Sequence, residues 1–459
     1  MVESNNKMED LFGEMLHLHP VDKDGYRIQK DNKDTYDCRP FNDDTIRSWY
    51  IARAYVLQRM KTDNNWGAEG ITKFSSDRVH IVIHYHGEPM ALFIARQVAL
   101  VTHFLNFREG DGRASAPCNT TVITILYERK ENFDIFKELR REEYLCNLPD
   151  VCKCVKSYGG KVEEEYNPNS YIDIELELVG FDSDSFDKYQ GENYGNLRQI
   201  VIEKGEIDKI SKLAQEQSLD VTNARRVNMV YNVGADIENL PADDPNTAER
   251  YNKALHYFCY QQSLEDALKE WNKLAFYNDE KDKHKVEWQI LLRNKLSNVL
   301  CADCFELRLK SLFDADGRKD MMDIIIMAYL DKNSQKKDGK SVDYKTINIT
   351  PSMLHYMMKN HESDLLALVK KNLQKIAQCE HARWNVEKLI LGFAPFTPHE
   401  RYEDNLHFGP SRNAYRKKLK NNKGHHIDLC SYHDLRRRNP GDMKFDCFLM
   451  MAMVRIFKS

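Results

Sequence analysis

Apolar and polar positions along the chain change period several times, and each change predicts an element. Between Thr45 and Met60, the residues Ile46, Trp49, Tyr50, Ala54 and Leu57 recur every three to four positions. That spacing predicts one amphipathic helix inside an otherwise polar segment, residues 1–75. The pattern then switches to a compact β-branched run, VHIVIHYHG at 79–87, followed by MALFIARQVALVTHFL, whose apolar residues suit a helix packed on a sheet. Further strand-type runs are TTVITILYE (120–128), YIDIELELVGF (171–181) and RVNMVYNVG (226–234). Helical stretches such as NFDIFKELRREEYL and EIDKISKLAQEQ separate them. Strands alternating with helices imply an α/β sheet with right-handed crossovers. YIDIELELVGF alternates strictly, the signature of a half-exposed edge strand.

From about Thr247 to Leu330 strand signals stop and helical periodicity takes over. The polar stretch 331–346, which contains Gly339, reads as a linker. A final unit opens at Thr350-Pro351-Ser352, a helix-capping signal with Pro in the first turn. One helix is expected from Ser363 to Leu391, closed by Gly392. The predicted organisation is an N-terminal helical segment (1–75), a degenerate Rossmann-like α/β domain (76–245), a helical middle region (246–335) and a mostly helical C-terminal domain (345–459), an α/β plus α fold class.

Composition narrows the setting. With 42% hydrophobic and 30% charged residues, the chain has enough apolar material for a core. No apolar run approaches the roughly 20 residues that span a bilayer. The first residues carry acids and lack the basic start and apolar run of a secretory signal, so a cytoplasmic protein without a membrane partner is expected. Eleven irregularly spaced cysteines suit buried thiols in a reducing compartment better than a disulfide frame or a metal site, even at the close pairs Cys152/Cys154 and Cys301/Cys304. The net charge of −4 argues against a nucleic-acid partner. Locally, however, Arg412 to Arg438 holds nine Lys or Arg against two Asp.

Two constellations in the α/β half carry candidate chemistry. In a dinucleotide-binding unit the first strand-to-helix turn has three glycines, because bare backbone must approach a pyrophosphate at the helix N-terminus. Here those positions hold His84, His86 and Pro89, so only Gly87 offers a close approach. The turn reads either as purely structural or as an anion site with His84 and His86 as donors. Asn232 and Asp236, after the last predicted strand, would face the same crevice, or else simply cap the next helix.

The third constellation is CEHARWNVEK at 379–388. On a helix His381, Trp384, Asn385 and Lys388 share one face, which joins an aromatic, an imidazole, an amide and an ammonium in one place. Such a set suits a flat base with a phosphate, with Lys417 and Lys420 of the basic run as phosphate partners. The bland alternative is that His381 and Trp384 brace the helix against the loop at Tyr432.

The order of motifs is similar to a known family. His381 and Trp384, Gly392-Phe393 closing the helix, the lysine stretch Lys417-Lys418-Leu419-Lys420, His425-His426-Ile427-Asp428 and the Tyr432-His433-Asp434-Leu435 element resemble the ryanodine-receptor-type (RyR) repeat domain found in bacterial proteins. The resemblance covers residues 350–459 and extends to a closing helix from Asp442 to Phe457. Ser431 stands where animal repeats usually have Pro, and the segment Thr397 to Asn413 is long. The family implies an N-terminal Rossmann-like region related to potassium-transport regulators. It also implies a non-catalytic sensor of a nucleotide-derived or phosphorylated small molecule, in anti-phage defence or signalling. His381, Trp384, Asn385, Lys388, Lys417, Lys420, His425 and Tyr432 are the ligand-binding candidates, with no other cofactor expected. A P-loop, a G-x-S-x-G turn and an HExxH motif are all absent from the sequence. A nucleotide-processing enzyme in the α/β crevice and a scaffold that self-associates or binds proteins remain the alternatives.

Overall fold

The computed structural model describes residues 43–62, 71–110, 118–130, 135, 138–139, 154–158, 161–165, 171–181, 197–216, 300–301, 303–305, 307–313, 349–390, 393–439, 443 and 446. The predicted strand 226–234, with Asn232 and Asp236, lies outside them, as does most of the middle region and the closing helix beyond Asp446.

The leading helix forms as expected, α1 (Asp43–Thr62). It is followed by β1 (Arg78–Tyr85), α2 (Pro89–Val101) and β2 (Thr121–Glu128). Two short strands come next, β3 (Cys154–Tyr158) and β4 (Lys161–Glu165), then β5 (Ile174–Phe181), β6 (Leu197–Ile202) and α3 (Lys204–Glu216). They build a six-stranded sheet of order β4-β3-β5-β2-β1-β6 in which β4 alone runs antiparallel. The chain crosses to the far side of β1 to place β6, so the carboxyl ends of β1 and β6 flank a topological switch point.

In-register rows explain the sheet's stability on one face. Ile200, Ile81, Ile123 and Leu176 form one row, and Ile202, Ile83, Ile125 and Leu178 the next, all buried. Against this side packs α2, which buries every residue from Met90 to Val101, Arg96 and Gln97 included, and α1 and α3 pack against α2.

The other face carries a hydrogen-bonded polar chain. Gln199 Nε2 donates to His80 Nδ1 at 3.2 Å, His80 Nε2 then donates to Thr124 Oγ1 at 2.7 Å, and the Thr124 hydroxyl donates to Glu177. This chain corrects the expectation for YIDIELELVGF. β5 is not an edge strand, since it lies between β2 and β3. Its alternating glutamates are satisfied by neighbouring strands, Glu177 by Thr124 and Glu175 by Thr120 and Arg78.

The C-terminal quarter is helical: α4 (Pro351–Asn360), α5 (Glu362–Lys371), α6 (Leu373–Ile390), α7 (Pro398–Leu406), α8 (Gly409–Lys423) and α9 (Tyr432–Arg438). Thr350 caps α4 as its sequence suggests, its side chain accepting from the Met353 amide. The single helix expected from Ser363 to Leu391 is instead two, because Asn372 turns its side chain back onto the Leu368 carbonyl and ends α5. Two-residue strands β7 (Ala394–Pro395) and β8 (His425–His426) pair in parallel.

One hydrophobic cluster runs through the whole assembly. It contains Ala52 and Val56 of α1, the sheet isoleucines, Leu300, Cys304 and Leu307, and Val386, Leu389, Phe393 and Leu429 of the C-terminal quarter. Polar contacts cross the same boundary: the Glu109 carboxylate accepts from the amides of Tyr432 (2.5 Å) and His433 (3.2 Å), and Lys73 reaches Asn372 at 2.9 Å. No helix among the described residues is long and apolar enough to cross a membrane.

His80 gives this fold a pH signature. Burial, then the neighbouring Arg78, lowers its pKa from 6.5 to about 4. The unfolded chain therefore takes up this proton well before the folded chain does, and stability is lost as pH falls from the first value toward the second. Urea melts at pH 4 and pH 7 should show His80→Gln reducing this acid-side loss by roughly 3 kcal/mol.

Candidate functional site

Helix α6 is buried on almost every side, although it carries four charged residues between Glu380 and Lys388. Burying charge is costly unless each ion is met by another. Arg383 sits between two carboxylates one turn away in each direction, donating to Glu380 Oε1 at 2.9 Å and to Glu387 Oε2 at 2.7 Å. Arg308 meets the other Glu380 oxygen, and Lys388 Nζ meets Glu387 Oε1 at 2.5 Å. Burial alone would raise the Glu380 carboxyl, but the Arg383 and Arg308 guanidiniums hold it at about 2. A parallel buried pair, Arg53 with Asp303 at 2.5 Å, ties α1 to the helical residues 303–305.

The predicted helix face divides into two parts. His381 and Asn385 are braces. His381 Nε2 donates to the Cys430 carbonyl at 3.0 Å, and its Nδ1 lies 3.3 Å from Asp446. Burial opposes charge on this ring, yet the bonds to Asp446 and Cys430 outweigh it and raise the pKa well above the usual imidazole range. Asn385 Nδ2 donates to the same Cys430 carbonyl at 2.9 Å. Tyr432 is buried with its ring 5.9 Å from that of His381, so it belongs to the brace as well.

Trp384 and Lys388 are different, each only partly buried. The indole stacks on His381, with centroids 5.8 Å apart and planes 16° from parallel. The His426 ring stands nearly perpendicular to the indole with centroids 5.0 Å apart, and Lys388 Nζ lies 5.5 Å from the indole centroid. His426 arrives through the β7–β8 pairing, which registers Pro395 with His426 after Gly424, at φ +67, closes α8. Burial, then the charges of Lys420 and Lys388, push the His426 pKa well below its ordinary value, which favours the neutral imidazole.

His425, the histidine singled out from the sequence, points elsewhere. Successive strand residues face opposite ways, and His425 Nδ1 contacts Glu400 Oε2 at 2.8 Å. His426 takes the position beside the indole. The basic run is likewise divided. Arg412 and Arg416 are committed to Asp404, at 2.7 Å each, while Lys417, Lys418 and Lys420 are exposed on α8. Of these, Lys420 is the one whose charge acts on His426. The long segment after Thr397 forms α7 and the start of α8, with a complete capping box at Thr397 and Glu400.

The turn in the α/β half is arranged quite differently. Gly87 adopts φ +106, and a side chain there would meet no atom within 4 Å. Yet Glu88 Oε2 accepts from the His86 amide at 2.9 Å, and Pro89 follows as the first helical residue of α2. The His86 amide, one donor of this turn, is thus already taken by a carboxylate, and Pro89 supplies none. His84 is partly buried at the end of β1, in register with Leu126.

Among the described cysteines Cys301, Cys304, Cys379 and Cys430 are buried, whereas Cys118 is exposed. Burial pushes Cys304 and Cys379 up to about 12 and raises Cys301 as well. Among the described residues no group of three or more His, Cys, Asp or Glu could hold a metal ion. No family model, no curated protein and no solved structure matches this chain.

The charge ladder sets the position of Trp384 and Lys388, so breaking it should unsettle the whole helix. Arg383→Met leaves Glu380 and Glu387 short of their shared counter-ion, and denaturant titration should show a loss of roughly 3–5 kcal/mol.

Proposed function

We propose that this chain is a non-catalytic sensor that binds a nucleotide-derived or phosphorylated small molecule at the α6–β8 face, within a signalling or anti-phage defence system. The observation that carries the reading is the partly buried Trp384 indole with Lys388 and the Lys420-flanked His426 around it. An indole supplies a stacking surface for any base, and two ammonium groups supply charge for a phosphate. Neutral His426 adds a hydrogen-bonding edge that is not a competing charge. The brace behind the indole, His381 and Asn385 on the Cys430 carbonyl, holds this surface rigid before a ligand arrives. The resemblance to RyR repeat domains points the same way. The α/β turn offers fewer donors to a phosphate, because the His86 amide bonds Glu88 and Pro89 has no amide hydrogen.

Titration calorimetry of the full chain against a panel of nucleosides, nucleotides and cyclic nucleotides tests this. Trp384→Ala should weaken the best binder roughly tenfold to a hundredfold, and Lys420→Ala should weaken phosphorylated members selectively. Unchanged affinity in a folded Trp384→Ala protein would remove the stacking role.

A further inference from the structure

On α6 the indole of Trp384 has one helical turn on each side of it. His381 is three residues before and Lys388 four residues after, so the two flank it from opposite ends. The His381 ring lies nearly parallel to the indole and is fixed by Asp446 and the Cys430 carbonyl. The Lys388 ammonium lies over the indole, 5.5 Å from the ring centroid. A flat ligand that stacks beneath this ammonium must displace it.

Lys388 is also the one member of the ladder able to leave. Its side chain is 12% exposed, whereas those of Arg383, Glu380 and Glu387 are at most 1% exposed. Glu387 keeps a counter-ion when Lys388 moves, since Arg383 bonds its other oxygen at 2.7 Å.

We propose that Lys388 is a displaceable cover on Trp384, which makes the site select phosphorylated bases over bare ones. A bare base must push the ammonium off the indole and offers it nothing in return. A phosphorylated base gives the same ammonium a charge-assisted partner as it leaves, so the cation–π contact is exchanged and not lost. This inference rests on the stacking role proposed above and adds the ligand class.

Two measurements on the full chain test it. The first needs no ligand: acrylamide quenching of the fluorescence assigned to Trp384, taken as wild type minus Trp384→Phe, should rise in Lys388→Ala. No rise would mean that the ammonium does not shield the ring, and the cover would be refuted. The second compares a nucleoside with its own 5′-monophosphate. A wild-type preference for the nucleotide of about tenfold should shrink to about threefold or less in Lys388→Met, with the nucleoside bound more tightly than before. Equal weakening of both ligands would make Lys388 a plain contact and overturn the inference while leaving the stacking role intact. Indifference of the nucleotide to Trp384→Ala is a separate result that removes the stacking role, and the cover with it.

Discussion

Everything in the C-terminal quarter depends on two carboxylates that cannot be left alone in the interior. Glu380 and Glu387 lie on a helix that the protein surrounds with its own core, and the energetic cost of stranding either is larger than most single contacts could recover. Arg383 answers both, and Arg308 reaches in from a distant part of the chain to complete the set. A buried ion pair tolerates little sliding, because its attraction falls away as its geometry degrades while its desolvation cost remains. The helix is therefore pinned in rotation and along its axis, which decides that the indole emerges at the surface and the imidazole of His381 does not. Position at the site is an electrostatic outcome before it is a chemical one.

The sheet contributes a frame. Its parallel strands and its switch point are those of folds that hold cofactors at the first turn, and here that turn bonds the His86 amide to Glu88 and opens α2 with Pro89. The crossover that follows is a helix buried from Met90 to Val101.

Much of this was legible in the residues. The β1–α2–β2 step, α1, α3 and the cap of α4 follow from periodicity and from Thr350-Pro351, because local preferences and tertiary burial agree there. Legibility failed where polar residues were satisfied internally. The glutamates of β5 look solvent-facing until Thr124, Thr120 and Arg78 are seen beside them. The spacing Glu380, Arg383, Glu387 reads as a wet helix face, although the regular alternation of sign at one-turn intervals was a usable clue to a self-satisfying ladder. β3, β4 and β6 escaped notice because Lys161–Glu165 is nearly all charged and Leu197–Ile202 carries Arg198 and Gln199. Choosing between His425 and His426 required the strand pairing itself, since two adjacent histidines are equivalent until one knows which way the backbone alternates.

The contact between Glu109 and the amides opening α9 has an architectural consequence. The first amides of α9 are met by a side chain supplied from more than three hundred residues earlier, on the segment between α2 and β2. A C-terminal fragment cut at the apparent linker would lack the acid that meets those amides and would expose the apolar surface of α6 to water. The C-terminal quarter is, in this protein, a lodger whose walls belong to its neighbour, and transplanting it elsewhere would require a host that supplies both.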